Sequence, residues 1–292
     1  MDAMQHTAEA SAPGNMILMG EYAVLEGAPA VLMTLRHRLK VKVSKSDIFE
    51  IYSDAFGVWR GGGAVQPHVA LCRNVLENCG YHNALRIDIT SDIPPTYGFG
   101  SSAALVAALV KALYALQGKT ADFTAMFSAG HAAILATHGR GSGADLAAAL
   151  ADMPFVVFDP QEKTVQPFDM AFCVQAIYTG YKTPTPQVLE KVYATVAAND
   201  RAAIMADMAA CVRAFITTPN VDSIRQYQSC MSRLEVICPA TQSALALLEE
   251  NGTAAKISGS GLGDCVVGFS AAPVEISPPP PLEFLAQKAL CA

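Results

Sequence analysis

Charged side chains are scarce in this chain: they make up 16% of its 292 residues, against 52% hydrophobic ones. That balance excludes a disordered tail or charged linker and leaves enough apolar surface for one large or two modest domains. Basic residues are fewer than acidic ones, 20 Lys and Arg against 26 Asp and Glu, for a net charge of −6. Nothing in this attracts a polyanion, so nucleic acid is not expected as a partner, and any phosphate has to be gripped locally. A long apolar run is lacking too. The best stretch, residues 103–116, is interrupted by Lys111 and is too short to span a bilayer, so a soluble chain with no membrane partner is expected. None of the eight cysteines is spaced C-x-x-C, which leaves no signature of a zinc site or redox dithiol. Scattered thiols of this kind read as small core residues of a cytoplasmic protein. The first fifteen residues have no basic patch followed by an apolar run, so no secretory leader is expected. The six histidines, His131 and His138 included, show no metal-ligand spacing.

What is present is an alternation of strand and helix patterns. Residues 15–35 (NMILMGEYAVLEGAPAVLMTL) read as a hairpin of buried strands, and LKVKVSKS, residues 39–46, as a separate strand with one wet face. Residues 65–79 carry apolar side chains at helical spacing up to Gly80, and residues 85–90 alternate as a strand ended by Pro94-Pro95. A long helix is predicted over 101–116 and another over 121–137. A short helix over 146–150 precedes a strand over 155–158. Residues 161–169 turn polar without a period and are the candidate domain junction. Beyond it come a strand (FCVQAIYTG), an extended loop (YKTPTPQ), and helical patterns over 187–216, 221–236 and 240–251. A strand, glycine loop and strand follow in AAKISGSGLGDCVVGFS, and ISPPPP reads as a stiff connection to a last helix.

Three glycine-bearing segments are where chemistry could sit. In PPTYGFGSSAALVAALVKAL, residues 94–113, Gly98, Gly100, Ser101 and Ser102 run from a strand's end directly into a helix. Glycines permit the left-handed angles that turn N–H groups inward, and a helix start adds unpaired donors and a positive dipole end, so an anion is favoured there. The segment lacks the Gly-Lys-Ser/Thr ending of a Walker loop and the third glycine of a dinucleotide fingerprint, and a plain helix cap at Ser101 or Ser102 fits as well. In THGRGSGADLAAAL, residues 137–150, Ser142 and Asp145 precede an Ala-rich helix, with Asp145 either a general base or a cap. In KISGSGLGDCVVGF, residues 256–269, Gly259, Gly261 and Gly263 make either a loose hairpin or a backbone that approaches a ligand closely.

Taken in order, the segments resemble the three signature motifs of the GHMP kinase family. SAPGNMILMGEYAVLEGAPAV (residues 11–31) resembles motif one, PPTYGFGSSAA the phosphate loop, and KISGSGLGDC motif three. GEYAVLEG and the GSGAD loop are similar to the mevalonate-pathway branch. The resemblance implies an α+β, two-domain fold. An ATP-binding domain like the second domain of ribosomal protein S5 would occupy residues 1–166, and a ferredoxin-like domain 167–292. It implies ATP and Mg2+, with the phosphates wrapped by Pro95, Gly98, Phe99, Gly100, Ser101, Ser102 and Ala103, and the metal on Ser102. Asp145 would be the catalytic base, with Asn15 at the position beside it. Glu21, Tyr22, Ser142, Thr185, Gly259 and Ser260 would line the site of a small alcohol, mevalonate or a phosphorylated derivative. Trp59, before Gly61-Gly62-Gly63, falls where family members bind adenine, though a loop anchor fits equally. A homodimer is compatible with the apolar surplus.

Two departures stand out. The family's mevalonate kinases usually carry a lysine where this chain has Asn15, and a magnesium-binding glutamate where it has Ile134. A neutral amide lowers the pKa of a neighbouring aspartate less than an ammonium does. Lys182 and Arg140 are the candidates for the missing cation. The Gly20-Glu21-Tyr22 sequence is similar to phosphomevalonate kinases and keeps that reading open, while the two departures keep open a decarboxylase of the same family and a nucleotide binder without turnover.

Overall fold

The computed structural model describes residues 6–61, 65–120, 122–285 and 290. Two compact units emerge, and the chain passes between them several times. The first comprises Met1–Asn15, His37–Ile93 and Gly100–Asp152, and the second Met16–Arg36, Pro94–Phe99 and Met153–Ala292. Compactness thus divides the chain differently from a single cut after residue 166.

The first unit holds most of β1 (Thr7–Met19), the second half of β2 (Ala30–Lys45), β3 (Glu50–Ser53), β4 (Gly57–Arg60), α1 (Pro67–Asn78) and β5 (Leu85–Ser91). It continues with α2 (Ser101–Leu116), α3 (Phe123–His138) and α4 (Ala144–Ala151). β5 lies between β2, to which it is antiparallel, and β3, to which it is parallel, and β4 forms a hairpin with β3. In β2 the alternation expected from LKVKV is real: Leu39, Val41 and Val43 are buried while Lys40 and Lys42 face water. The expected break before it is absent. Residues 36–38 contain no glycine or proline to turn the chain, so the two predicted strands are one of 16 residues. β3 and β4 went unpredicted, each being four residues long and too short to show a period.

Helix α2 is the spine of this unit. Nearly every side chain from Ala103 to Leu116 is buried, because alanines alternate with Leu and Val on all its faces and neighbours can approach closely. One close approach is at Gly130 of α3. A methyl group there would lie 2.9 Å from both Val106 of α2 and Leu146 of α4. Arg38 ties the unit's segments together, its guanidinium meeting both carboxylate oxygens of Asp152 at 2.9 and 2.6 Å. Trp59 is buried against Phe49 with Arg73 over its ring, which makes it a packing anchor here.

In the second unit β6 (Phe155–Asp159) pairs with the first half of β2 and with β7 (Thr164–Pro167). β7 occupies the polar stretch that offered no strand period. A separate antiparallel sheet has the order β11-β8-β10-β9, built from β8 (Cys173–Tyr178), β9 (Ala254–Ser258), β10 (Cys265–Ser270) and β11 (Glu283–Leu285). Helices α5 (Thr185–Thr195), α6 (Ala198–Thr217), α7 (Val221–Arg233) and α8 (Pro239–Glu250) complete it, with α7 and α8 packed on β9. The single helical pattern predicted over 187–216 is two helices, broken at Val196 and Ala197 where the backbone turns extended. The last helix expected after the prolines falls largely outside the described residues, and residues 283–285 form strand β11. No helix among the described residues is long and apolar enough to cross a membrane.

One buried ion pair organises the core of this unit. Lys256, in the middle of β9, is fully buried, and its ammonium lies 2.5 Å from Glu21 Oε1, itself 4% exposed. The ammonium also donates to the Ile257 carbonyl and lies 5.3 Å from the Tyr227 ring centroid. Burial pushes the Glu21 carboxyl up and the Lys256 ammonium down, and their attraction opposes both shifts. Removing one partner strands the other charge out of water. Lys256→Met is therefore expected to lower the unfolding free energy by about 3–5 kcal/mol. The double variant Glu21→Gln with Lys256→Met should lose less, as measured by urea denaturation.

Candidate active site

At the start of α2 the sequence leaves the helix without a side-chain cap. The N-cap position is Gly100, in the left-handed conformation with φ 65°, and neither Ser101 nor Ser102 closes the end. The first intrahelical bond runs from the Ala104 N–H to the Gly100 carbonyl, so the N–H groups of Ser101, Ser102 and Ala103 have no acceptor within the helix. Ser102 is exposed, Ser101 half-buried and Ala103 buried. Three donors, an exposed hydroxyl and a positive dipole end make an anion receptor.

Asn15 sits beneath this helix start. It is 1% exposed, and a side chain on Gly100 would come within 2.8 Å of its Nδ2. That amide donates to the backbone carbonyl of Asp145 at 3.0 Å, while Oδ1 is buried without a hydrogen-bond partner. Asn15 thus joins the two glycine-bearing segments of this unit through the main chain of the aspartate.

The Asp145 loop is built on α3. His131 donates through Nε2 to the Gly141 carbonyl at 2.9 Å, and Phe127 fills the space a side chain at Gly143 would need. Ser142 Oγ accepts from the Ala144 N–H. The cap of α4 is Gly143, with φ 81°, so Asp145 is not the cap; it is exposed within the first turn. Ile134 packs within 3.3 Å of the Cβ position of Gly141. The family's glutamate position is therefore an apolar wall under the loop. Among the described residues no group of three or more His, Cys, Asp or Glu side chains could hold a metal.

In the second unit, the glycine turn of motif one is fastened to the loop of motif three. Gly259 N–H donates to Glu21 Oε1 at 3.3 Å, Tyr22 OH to the Ser260 carbonyl at 2.6 Å, and Tyr227 OH to the Glu21 carbonyl at 2.6 Å. Gly20 N–H donates in turn to Tyr227 OH. Tyr22 adopts φ 61°, a strained value for a bulky side chain that these bonds over-determine. Glu21 and Tyr22 are buried, so their side chains build the turn. Ser260 is half-exposed with its hydroxyl 3.5 Å from that of Thr185, which is exposed at the start of α5.

This unit also holds Pro95, Gly98 and Phe99. Pro95 is exposed and Phe99 buried. Gly98, at φ 73°, faces the carboxylate of Asp264, and a Cβ there would meet Oδ1 at 2.9 Å. Asp264 is a non-glycine residue at φ 62° with Oδ1 unpartnered; Lys182 Nζ lies 3.6 Å from Oδ2. Burial pushes the Asp264 carboxyl up to about 6, against the pull of Lys182. Asp264, Lys256, Tyr227 and the supporting role of His131 are not evident from local sequence pattern. A charge inside the apolar run AAKIS and an aspartate inside GLGDC were the available signals.

Each unit is α+β, and the helix start of the first leaves backbone donors open to an anion. The family described as GHMP kinases N terminal domain matches residues 67–152, and GHMP kinases C terminal matches residues 195–277. A mevalonate kinase of Archaeoglobus fulgidus is 30% identical over 279 residues, covering 89% of this chain and 91% of that one. Among solved structures, Streptococcus pneumoniae phosphomevalonate kinase in complex with phosphomevalonate and AMPPNP aligns with a TM-score of 0.77 at 20% identity, covering 90% of this chain and 92% of that one. Methanococcus jannaschii mevalonate kinase aligns at 0.72 and 16%, covering 92% of each. The chain belongs to the GHMP kinases, as its motifs implied, and has their two-domain fold.

The buried carboxylate carries a measurable cost. The unfolded chain ionises Asp264 near its ordinary value of 3.8, the folded chain at about 6. As pH rises between these values the unfolded state loses its proton first and native stability falls. Above pH 6 the loss is constant at about 3 kcal/mol. Asp264→Asn should therefore raise stability by up to that amount at pH 7.5, with the gain vanishing well below pH 3.8 in urea titrations.

Proposed function

We propose that this chain is a mevalonate kinase, moving the γ-phosphoryl group of ATP to the hydroxyl of mevalonate. The observation that carries the reaction type is the joining, within one unit, of an uncapped serine-bearing helix start to the Asp145 loop through Asn15. The acceptor is carried by the archaeal relative, similar along nearly its whole length.

In this reading the N–H groups of Gly100, Ser101, Ser102 and Ala103 take the triphosphate, with Pro95, Gly98 and Phe99 shaping the approach. Asp145 accepts the proton of the alcohol as its oxygen attacks the γ-phosphorus and the bond to the ADP oxygen breaks. Asn15 holds the main chain of that aspartate in place. On the first unit Ser142 borders the acceptor; on the second the residues the resemblance offers for it are Thr185, Gly259 and Ser260, with Glu21 and Tyr22 buried behind them. The exposed Ser102 hydroxyl suits a hard cation, so Mg2+ would be held there together with phosphate oxygens, neutralising charge on the transferred group. Most of the rate then comes from alignment and fixed dipoles.

A second reading, phosphomevalonate kinase, is favoured by the tyrosine of Gly20-Glu21-Tyr22. An ADP-release assay over mevalonate, its phosphates, homoserine and sugars separates them. Turnover should be selective for mevalonate. Release with 5-phosphomevalonate alone would replace the proposal by the second reading, and ATP binding without turnover on any acceptor would remove both.

A further inference from the structure

Residues 139–143 carry the chain from α3 to Asp145, and little in their own chemistry fixes their path. Gly139 ends α3 and Gly143 begins α4, both at left-handed angles, φ 74° and 81°, and no side chain caps the start of α4. With Gly141 between them, three residues in five are glycine, so the segment has much backbone entropy to lose on ordering.

What orders it is one stripe of α3. Phe127, His131 and Ile134 follow at spacings of four and three, so they stand on one face of the helix. Each meets a glycine of the loop. A Cβ at Gly143 would lie 2.7 Å from Phe127 and 3.2 Å from His131 Cδ2, and one at Gly141 would lie 3.3 Å from Ile134. Phe127 and Ile134 exclude other paths by their bulk. His131 does more, because it is the member of the stripe with a polar hydrogen to donate, and its Nε2 reaches the Gly141 carbonyl at 2.9 Å. Its ring is set in turn by Phe127, with centroids 5.3 Å apart and planes 31° from parallel. Asn15 donates to the Asp145 carbonyl at 3.0 Å. The main chain is thus gripped by a side chain at Gly141 and again at Asp145. An apolar side chain would fill the place of His131 equally well against Phe127, so packing alone does not account for an imidazole there.

We propose that His131 is a positioning residue for Asp145: its hydrogen bond to Gly141 holds the loop in the path from which the carboxylate meets the acceptor's hydroxyl. This rests on the reading of Asp145 as the base. All the residues involved belong to the first unit.

Single-turnover transfer from ATP, MgATP affinity and amide hydrogen exchange of residues 139–146, measured on the wild type, His131→Leu and His131→Gln, test it. Leucine fills the space without a donor, whereas the glutamine amide restores an N–H. His131→Leu should slow transfer about 10- to 100-fold, the effect of a misplacement of about 1 Å, leave MgATP affinity within about threefold and speed exchange across the loop. His131→Gln should recover most of the rate and of the protection. In the Asp145→Asn background His131→Leu should slow the residual transfer by less than about twofold, since the carboxylate it would misplace is gone. The proposal is overturned if His131→Leu transfers at the wild-type rate, if its slowing is undiminished in Asp145→Asn, or if glutamine does no better than leucine. The wild type, run over the acceptor panel, judges the mevalonate reading separately: turnover with a different acceptor replaces that reading and supplies the substrate for the rate comparison. If no acceptor turns over, the kinase reading falls and exchange alone decides, faster exchange in His131→Leu supporting the positioning role and unchanged exchange overturning it.

Discussion

The second unit depends on an ion pair that water never reaches. Lys256 and Glu21 are 235 residues apart and 2.5 Å from contact to contact, and around them cluster the bonds that fix the Gly20–Gly27 turn and the Gly259–Ser260 loop. A buried pair of this kind is weak as a source of stability, since desolvation offsets most of the attraction. Its value here is geometric. Only one register of β9 places the ammonium on the carboxylate, and that register also aligns Gly259 with Glu21 and Ser260 with Tyr22.

The phosphate site proposed for the first unit would handle negative charge by other means. A chain with few basic residues can still hold a triphosphate if backbone N–H groups are oriented and left unpaired, and the Gly100 N-cap does both. The family's cationic and acidic helpers at Asn15 and Ile134 are replaced by a buried amide and an apolar wall, yet both replacements are packed against the loops they support.

Much of this was legible in the residues. The limits of α2 followed from a proline pair and glycines before it, and motif order identified the family. The Asp145 loop was legible as a loop because Gly139, Gly141 and Gly143 punctuate it. The rest was hidden for definite reasons. β3, β4 and β7 are four-residue strands held by neighbours, and β2 hides its continuity behind a change from two-sided to one-sided burial at residue 36. The roles of Lys256 and Asp264 come from partners far away in sequence, which local pattern cannot reveal.

The proposed phosphoryl transfer depends most directly on Asp145 as the group that receives the acceptor's proton. Rapid-quench single turnovers with bound ATP and mevalonate, comparing the wild type with Asp145→Asn, test that directly. The transfer step should slow by about 10²- to 10⁴-fold while ATP affinity stays within about threefold. Transfer at an undiminished rate in Asp145→Asn would contradict it.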